Sequence, residues 1–228
     1  MTQSWHDLLF AHWPVDARMV QEKLPSGLPL DTFQGQAWIG VVPFRMTNVA
    51  PRGVPAVPFV SSFLELNVRT YVTLQGKPGV YFFSLDANSA IAVAAARTLF
   101  QLPYFAASMS VEVRDGHFVY TSTRDTRIEG VAQLAATYRP IGPVQIAQPG
   151  SLEHFLTERY CLYTVDRSFR AKRLEIHHSP WQLQAAEATI AVNTMTDAAD
   201  IRLPVRAPLL HFARRQDTLA WPSGLVSS

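Results

Sequence analysis

The chain has 228 residues, 48% of them hydrophobic and 17% charged, with a formal net charge of +2. That composition can bury a sizeable core. The near-zero charge gives no electrostatic footprint for nucleic acid. The single cysteine, Cys161, excludes an internal disulfide. The start lacks the basic and apolar signature of a signal peptide, and no stretch approaches the ~18 to 20 apolar residues that span a bilayer. We expect a soluble cytoplasmic protein with neither nucleic-acid nor membrane partners, folded as one domain over residues 1–228.

In chain order, His6 to His12 reads as a short strand. Asp16 caps a helix over Ala17 to Lys23, stopped by Pro25 and Gly27. Leu28 to Phe33, a turn at Gln34-Gly35, and Gln36 to Met46 read as a β-hairpin. Val49 to Pro58 is rich in proline and reads as a loop. Phe63 to Leu74 and Val80 to Leu85 are strands joined by the turn residues Gln75 to Gly79. Asn88 caps a helix over Ser89 to Gln101, and Pro103 ends it. Ser108 to Arg114 and His117 to Arg124 flank Asp115-Gly116, a pair suited to a type I′ hairpin turn. Leu134 to Arg139 is a strand, and Ser151 caps a short helix to Glu158. Tyr160 to Val165 and Phe169 to His177 form a further hairpin. Trp181 to Ile190 is a weakly alternating strand, and Leu209 to Phe212 with Thr218 to Trp221 form a closing pair. Hairpins dominate, so the sheet is antiparallel. So many strands curl or close.

The segment Phe63 to Tyr71 carries the most chemistry. Side chains alternate across a strand, so Glu65, Asn67 and Arg69 share a face with Phe63 and Tyr71. A carboxylate, an amide and a guanidinium between two aromatic residues suit a ligand pocket, although a solvated face is the ordinary alternative. Glu65 and Arg69 lie about 13 Å apart along the strand, too far to pair directly. Asn67 stands between them as a hydrogen-bonding link, and Arg45 is the candidate partner of Glu65.

Elsewhere the signals are weaker. His154 and Glu158 have the spacing of two metal ligands on a helix but no third, so we expect no metal. No phosphate loop, dinucleotide fingerprint or serine-nucleophile elbow occurs, so we expect no cofactor. His177 and His178 point to opposite faces, with His178 packing on Trp181. Cys161 reads as a buried, inert thiol. The basic run around Arg170, Lys172 and Arg173 reads as a solvated hairpin face. Of the three lysines, Lys23, Lys77 and Lys172, none has the apolar setting that makes an amine nucleophilic.

Gly79 to Asp86 (Gly-Val-Tyr-Phe-Phe-Ser-Leu-Asp), Ala90 to Val93, Arg97 to Leu99 and Leu102-Pro103 resemble the central segment of acetoacetate decarboxylase. Leu24-Pro-Ser-Gly-Leu28 resembles that family's opening. In the family a Leu-Asp pair leads into a helix ending in Pro-Lys-Lys, whose first lysine forms the Schiff base. Here Tyr104 and Phe105 stand at the lysine pair. Ile39 stands at one active-site glutamate and His6 near the active-site arginine. Only Glu65 matches, at the second glutamate.

Along nearly the whole chain the sequence is similar to the YqjF-like family of uncharacterised proteins, a branch of the same superfamily. The likeness rests on Phe10 to Pro14, Gly40 to Arg45, Glu65 to Tyr71, Tyr138 to Pro140, Phe155 to Tyr160 and His178 to Trp181. It implies an α+β, mainly antiparallel, acetoacetate decarboxylase-like barrel with a few short helices, an internal cavity and a possible homo-oligomer. It implies no established reaction. We therefore expect a pocket for a small organic carboxylate or carbonyl ligand, with Glu65 and Tyr104 as candidate catalytic residues and Arg45, Asn67, Arg69 and His6 as candidate ligand contacts. A lyase or hydratase using Glu65 as general acid or base is one alternative. A structural or partner-binding protein, using the proline-rich loop and Trp221, is another.

Overall fold

The computed structural model describes residues 1–51, 53, 61–99, 101–126, 130–166 and 168–226. The strands are β1 (Thr2–Val15), β2 (Ala37–Ala50), β3 (Phe63–Leu74), β4 (Lys77–Ala87), β5 (Tyr104–Ala106), β6 (Ser108–Arg114), β7 (His117–Thr126), β8 (Gly130–Ile146), β9 (Cys161–Val165), β10 (Ala171–His178), β11 (Gln182–Asn193), β12 (Leu209–Ala220) and β13 (Gly224–Leu225). The helices are α1 (Ala17–Lys23), α2 (Ala90–Leu99) and α3 (Leu152–Thr157). Among the described residues no helix is long and apolar enough to cross a membrane.

The strands form one sheet in the order β13-β10-β9-β4-β3-β2-β1-β12-β11-β8-β7-β6, and β10 also pairs with β12. That extra pairing, with Ile176 opposite Ala220 and His178 opposite Thr218, closes β12-β1-β2-β3-β4-β9-β10 into a ring. All of these contacts are antiparallel except β4–β9, and β4–β5 outside the ring is parallel as well. β12 pairs with β1 along one edge and is long enough to serve two partners along the other. Leu183 of β11 lies opposite Ala213, nearer its start, and β10 lies along its end.

The strands β11, β8, β7 and β6 fold back over the outside of the ring. Leu64, Leu66 and Val68 of β3 pack there with Ile39, Phe118, Tyr120, Leu134 and Phe212. The other face of β3 turns into the ring, so both faces are buried and the solvated-face alternative for Glu65 is removed.

Local expectations hold where short-range chemistry decides. Asp16 accepts from the Met19 amide at 2.8 Å, and Ser151 accepts from the His154 amide at 3.2 Å. The Asp115-Gly116 turn has φ of 48° and 77°, as a type I′ turn needs. Four expectations fail. Residues 28–33 form no extended hairpin arm, although Phe33 and Gln36 exchange both backbone bonds across the Gln34-Gly35 turn. Instead the Asp31 amide donates to Tyr71 O and the Thr73 amide to Pro29 O, so this run lies along β3, while β1 and β3 flank β2. Asn88 does not cap α2. Its Oδ1 accepts from the Leu64 amide, and Ser89 Oγ accepts from Ala92. Leu209 to Phe212 and Thr218 to Trp221 are not a pair, because the first run and Thr218 to Ala220 belong to the single strand β12. The connection from β3 to β4 is only Gln75-Gly76, tighter than five residues. The proline-rich loop lies largely outside the described residues, although its first two residues extend β2.

Candidate functional site

The ring walls a partly open cavity of about 190 Å³. Val42, Phe44 and Met46 of β2 line it, as do Phe63, Glu65, Asn67 and Arg69 of β3. Phe82 and Leu85 of β4 face them, and Ala92 and Ala96 of α2 close one side. For scale, an apolar cavity of roughly 150 Å³ accommodates benzene.

Glu65 is 3% exposed. Burial pushes its carboxyl up to about 8, against a hydrogen bond from Tyr104 that favours the charged form. Tyr104 Oη donates to Glu65 Oε2 at 2.7 Å. At neutral pH the pair is therefore a neutral acid beside a neutral phenol, because burial and the Glu65 carboxyl also hold the Tyr104 hydroxyl well above its ordinary range. The Glu65 backbone is fixed from the outer side, where Tyr120 Oη donates to Glu65 O at 2.9 Å.

The placement of Tyr104 depends on β5. Tyr104 lies opposite Leu85 in the parallel β4–β5 contact, and its carbonyl accepts from Arg97 Nε. The next residue, Phe105, has the Arg124 guanidinium 4.1 Å from its ring centroid. Arg124 is fully buried and pairs with buried Asp86, Nε to Oδ2 at 3.3 Å. Thus Tyr104 enters the cavity, while Phe105 packs against Arg124.

At the other end of the strand, Arg69 Nη2 donates to Leu156 O at 3.1 Å, and its guanidinium lies 5.3 Å from the Phe10 ring centroid. Tyr71 Oη donates to the same carbonyl at 2.8 Å and meets His12 Nε2 at 2.7 Å. Burial and the Arg69 charge hold His12 well below its ordinary range. Gly40 makes room here, since a Cβ would stand 3.0 Å from the His12 ring and 3.3 Å from Arg69 Cγ. Asn67 does not link Glu65 to Arg69. Its buried Oδ1 and Arg69 Nε have no hydrogen-bond partner among the described residues.

Arg45 and His6 stand apart from this group. Arg45 Nη2 pairs with Asp7 at 3.3 Å rather than with Glu65, and His6 Nε2 meets Thr47 Oγ1 at 2.8 Å. Alternation along β2, where Phe44 and Met46 line the cavity, turns Arg45 away from it, and a bulge in β1 does the same for His6. Asp7 has φ of 56°, and the β1–β2 register shifts between His6 and Ala11. The extra residue lets Trp5 and Leu8 both line the cavity and turns His6 outward, opposite Arg45. Ile39, at the other glutamate position, packs in the outer core.

No lysine lines the cavity. Lys23 meets Asp200, Lys77 meets Glu175, and Lys172 donates to Gln101. Glu158, half of the metal-spaced pair, has both oxygens engaged, one by the Trp181 amide and the other by Tyr160 Oη. Cys161 is buried, and burial raises its thiol. Among the cavity residues that escape sequence reasoning are Trp5, Arg159 and Trp181. Trp5 is hidden by the bulge, and Arg159 and Trp181 come from irregular segments where no alternation marks a face. His178 packs on Trp181 as expected, with ring centroids 5.3 Å apart.

The comparisons agree with this architecture. A family model described as "uncharacterized conserved protein" matches residues 2–217. The uncharacterized protein YqjF of Bacillus subtilis (strain 168) is 52% identical over 222 residues, covering 97% of this chain and 90% of the relative. Among solved structures, acetoacetate decarboxylase from Legionella pneumophila aligns with a TM-score of 0.67 at 11% identity, over 99% of this chain and 87% of that one. An acetoacetate decarboxylase-like enzyme from Sphingomonas wittichii RW1 aligns at 0.66 and 12% identity, over 100% and 93%. The enduracididine biosynthesis enzyme MppR complexed with pyruvate aligns at 0.64 and 12% identity, over 99% and 90%. These distant structures establish the acetoacetate decarboxylase-like fold, here as a ring of strands. The chain itself belongs to the DUF2071 family of uncharacterized conserved proteins.

Proposed function

We propose that the strand ring is a pocket for a small organic carboxylate or carbonyl compound, bound without a Schiff base. The observation that carries this reading is the hydrogen bond from Tyr104 to a buried Glu65 at the wall of a mainly apolar cavity. A neutral carboxyl can donate a hydrogen bond to a carbonyl oxygen, and a few polar groups in an apolar cavity orient a small ligand. Asn67 and Arg69 supply further polar contacts from the same strand. The complex of MppR with pyruvate supports the ligand class by analogy of fold. The test is a thermal-shift screen of carboxylic acids and carbonyl compounds on the wild type and Glu65→Gln. Stabilisers whose effect shrinks in the variant support the reading, and a screen without any stabiliser ends it.

A second reading is a lyase or hydratase, favoured by the position of the same pair. Glu65 serves as general acid or base, and Tyr104 donates to a developing oxyanion. Turnover of an identified substrate that survives Glu65→Gln removes Glu65 from that chemistry.

A further inference from the structure

The charges and shape of the cavity wall narrow the ligand further, on the assumption that the pocket reading above is correct. Two guanidiniums reach the wall. Arg159 is neutralised, since its Nη1 lies 2.7 Å from Asp31 Oδ2. Arg69 has no such partner. It donates to a neutral carbonyl and rests beside the Phe10 and Tyr71 rings, and no described carboxylate forms an ion pair with it. Its Nε also has no hydrogen-bond partner among the described residues. Nearby Asn67 is 5% exposed with an unpartnered Oδ1. A half-buried charge without a counter-charge at a cavity wall carries a desolvation cost, and an anionic ligand relieves it.

Part of the remaining wall is aromatic, set among aliphatic residues such as Leu8, Val42, Met46 and Leu85. Trp5 and Trp181 stack at 5.9 Å with planes 24° apart, and Phe44 meets Trp5 edge-on at 6.0 Å. Phe63 and Phe82 line the same cavity. Such walls favour a planar unsaturated body, through offset or edge contacts that a puckered ring makes less well. The Trp181 indole N–H is buried and has no partner among the described residues, so it adds a donor at this wall.

We propose that the cavity takes a monoanionic carboxylate with a flat, unsaturated apolar body. The carboxylate lies on Arg69, and the ring lies against the Trp5, Trp181 and Phe44 wall. A second carboxylate on the ligand is disfavoured, because Arg69 is the only guanidinium on the described wall without an acidic partner.

The experiment is calorimetric titration at pH 7 with benzoate, benzamide and cyclohexanecarboxylate. Benzamide keeps the shape without the charge, and cyclohexanecarboxylate keeps the charge without the planarity. Benzoate is expected to bind about tenfold more tightly than either, as a charge-assisted contact and a stacked ring warrant. In Arg69→Met its affinity should fall to that of benzamide. Equal binding of benzamide in the wild type, or a preference for benzoate that survives in Arg69→Met, overturns the anionic class. Equal binding of cyclohexanecarboxylate overturns the planar one. Leu85→Trp and, independently, Ala92→Phe fill the cavity from two different elements. If they abolish whatever binding is seen, the pocket reading stands even where the ligand class fails. If none of the three compounds binds, or binding ignores both folded variants, the pocket reading fails and takes this inference with it.

Discussion

Tyr104 donates to Glu65 across 39 residues of sequence, Oη to Oε2 at 2.7 Å, where a helix and a three-residue parallel strand carry the chain back to β4. This contact occupies the place that the resemblance to acetoacetate decarboxylase gives to a lysine.

The first consequence is a pH dependence of stability. Glu65 holds its proton up to about pH 8 when folded, against an ordinary value of 4.5. Between those values the native state binds more protons than the unfolded state, so this group's contribution to stability declines as pH rises and levels off above about 8. The full difference is on the order of 5 kcal/mol. Urea unfolding of wild type and Glu65→Gln from pH 5 to 9 isolates it. The wild type should lose stability relative to the variant across that range.

Asp86 and Arg124 form a fully buried ion pair beside Phe105, and so support the strand that carries Tyr104. Removing one partner leaves an uncompensated buried charge. Arg124→Met should cost about 3–5 kcal/mol. The double variant Asp86→Leu with Arg124→Met should recover part of that loss. A denaturant double-mutant cycle measures both.

Gly79 lies where β4 meets β9 and helps close the ring. An added Cβ would stand 2.7 Å from Cys161 Sγ, 2.8 Å from Cys161 O and 2.8 Å from Tyr163 Cε2. Because one neighbour is backbone, Gly79→Ala should destabilise by about 1–3 kcal/mol. Gly224→Ala, with nothing within 4 Å, is the control. Thermal unfolding of the two variants should separate them.

Tyr71 joins His12 and Leu156 O, the carbonyl that also receives Arg69. Tyr71→Phe leaves buried His12 Nε2 without this partner and should cost about 1–3 kcal/mol. It should also loosen Arg69, seen as a lower order parameter for the Arg69 Nε–H in ¹⁵N relaxation. An unchanged Arg69 signal would mean that Tyr71 serves stability alone.

Much of this fold was legible where local chemistry sets the outcome. The limits of β3 follow from the alternation in Phe63 to Leu74, and the Asp115-Gly116 hairpin follows from its turn residues. The candidate site was legible to the extent that it lies on that one strand. Glu65, Asn67 and Arg69 reach the cavity because period-two alternation holds along β3. The rest depends on long-range pairing. A single bulge at Asp7 exchanges Trp5 for His6 at the wall, and nothing within His6 to His12 announces it. The ring closes through β10 and β12, and no local pattern marks that contact. Arg45 misleads because it adjoins Phe44, the residue opposite Glu65, yet points to the other face.

The central claim is that a neutral carboxylic acid stands in this cavity under the Tyr104 hydroxyl. The direct measurement is a ¹³C NMR titration of glutamate side-chain carboxyls, with Glu65 assigned by its disappearance in Glu65→Gln. The account predicts a midpoint near 8 for Glu65, moving higher in Tyr104→Phe as the bond favouring the charged form is lost. A midpoint near 4.5, the ordinary value, would contradict it.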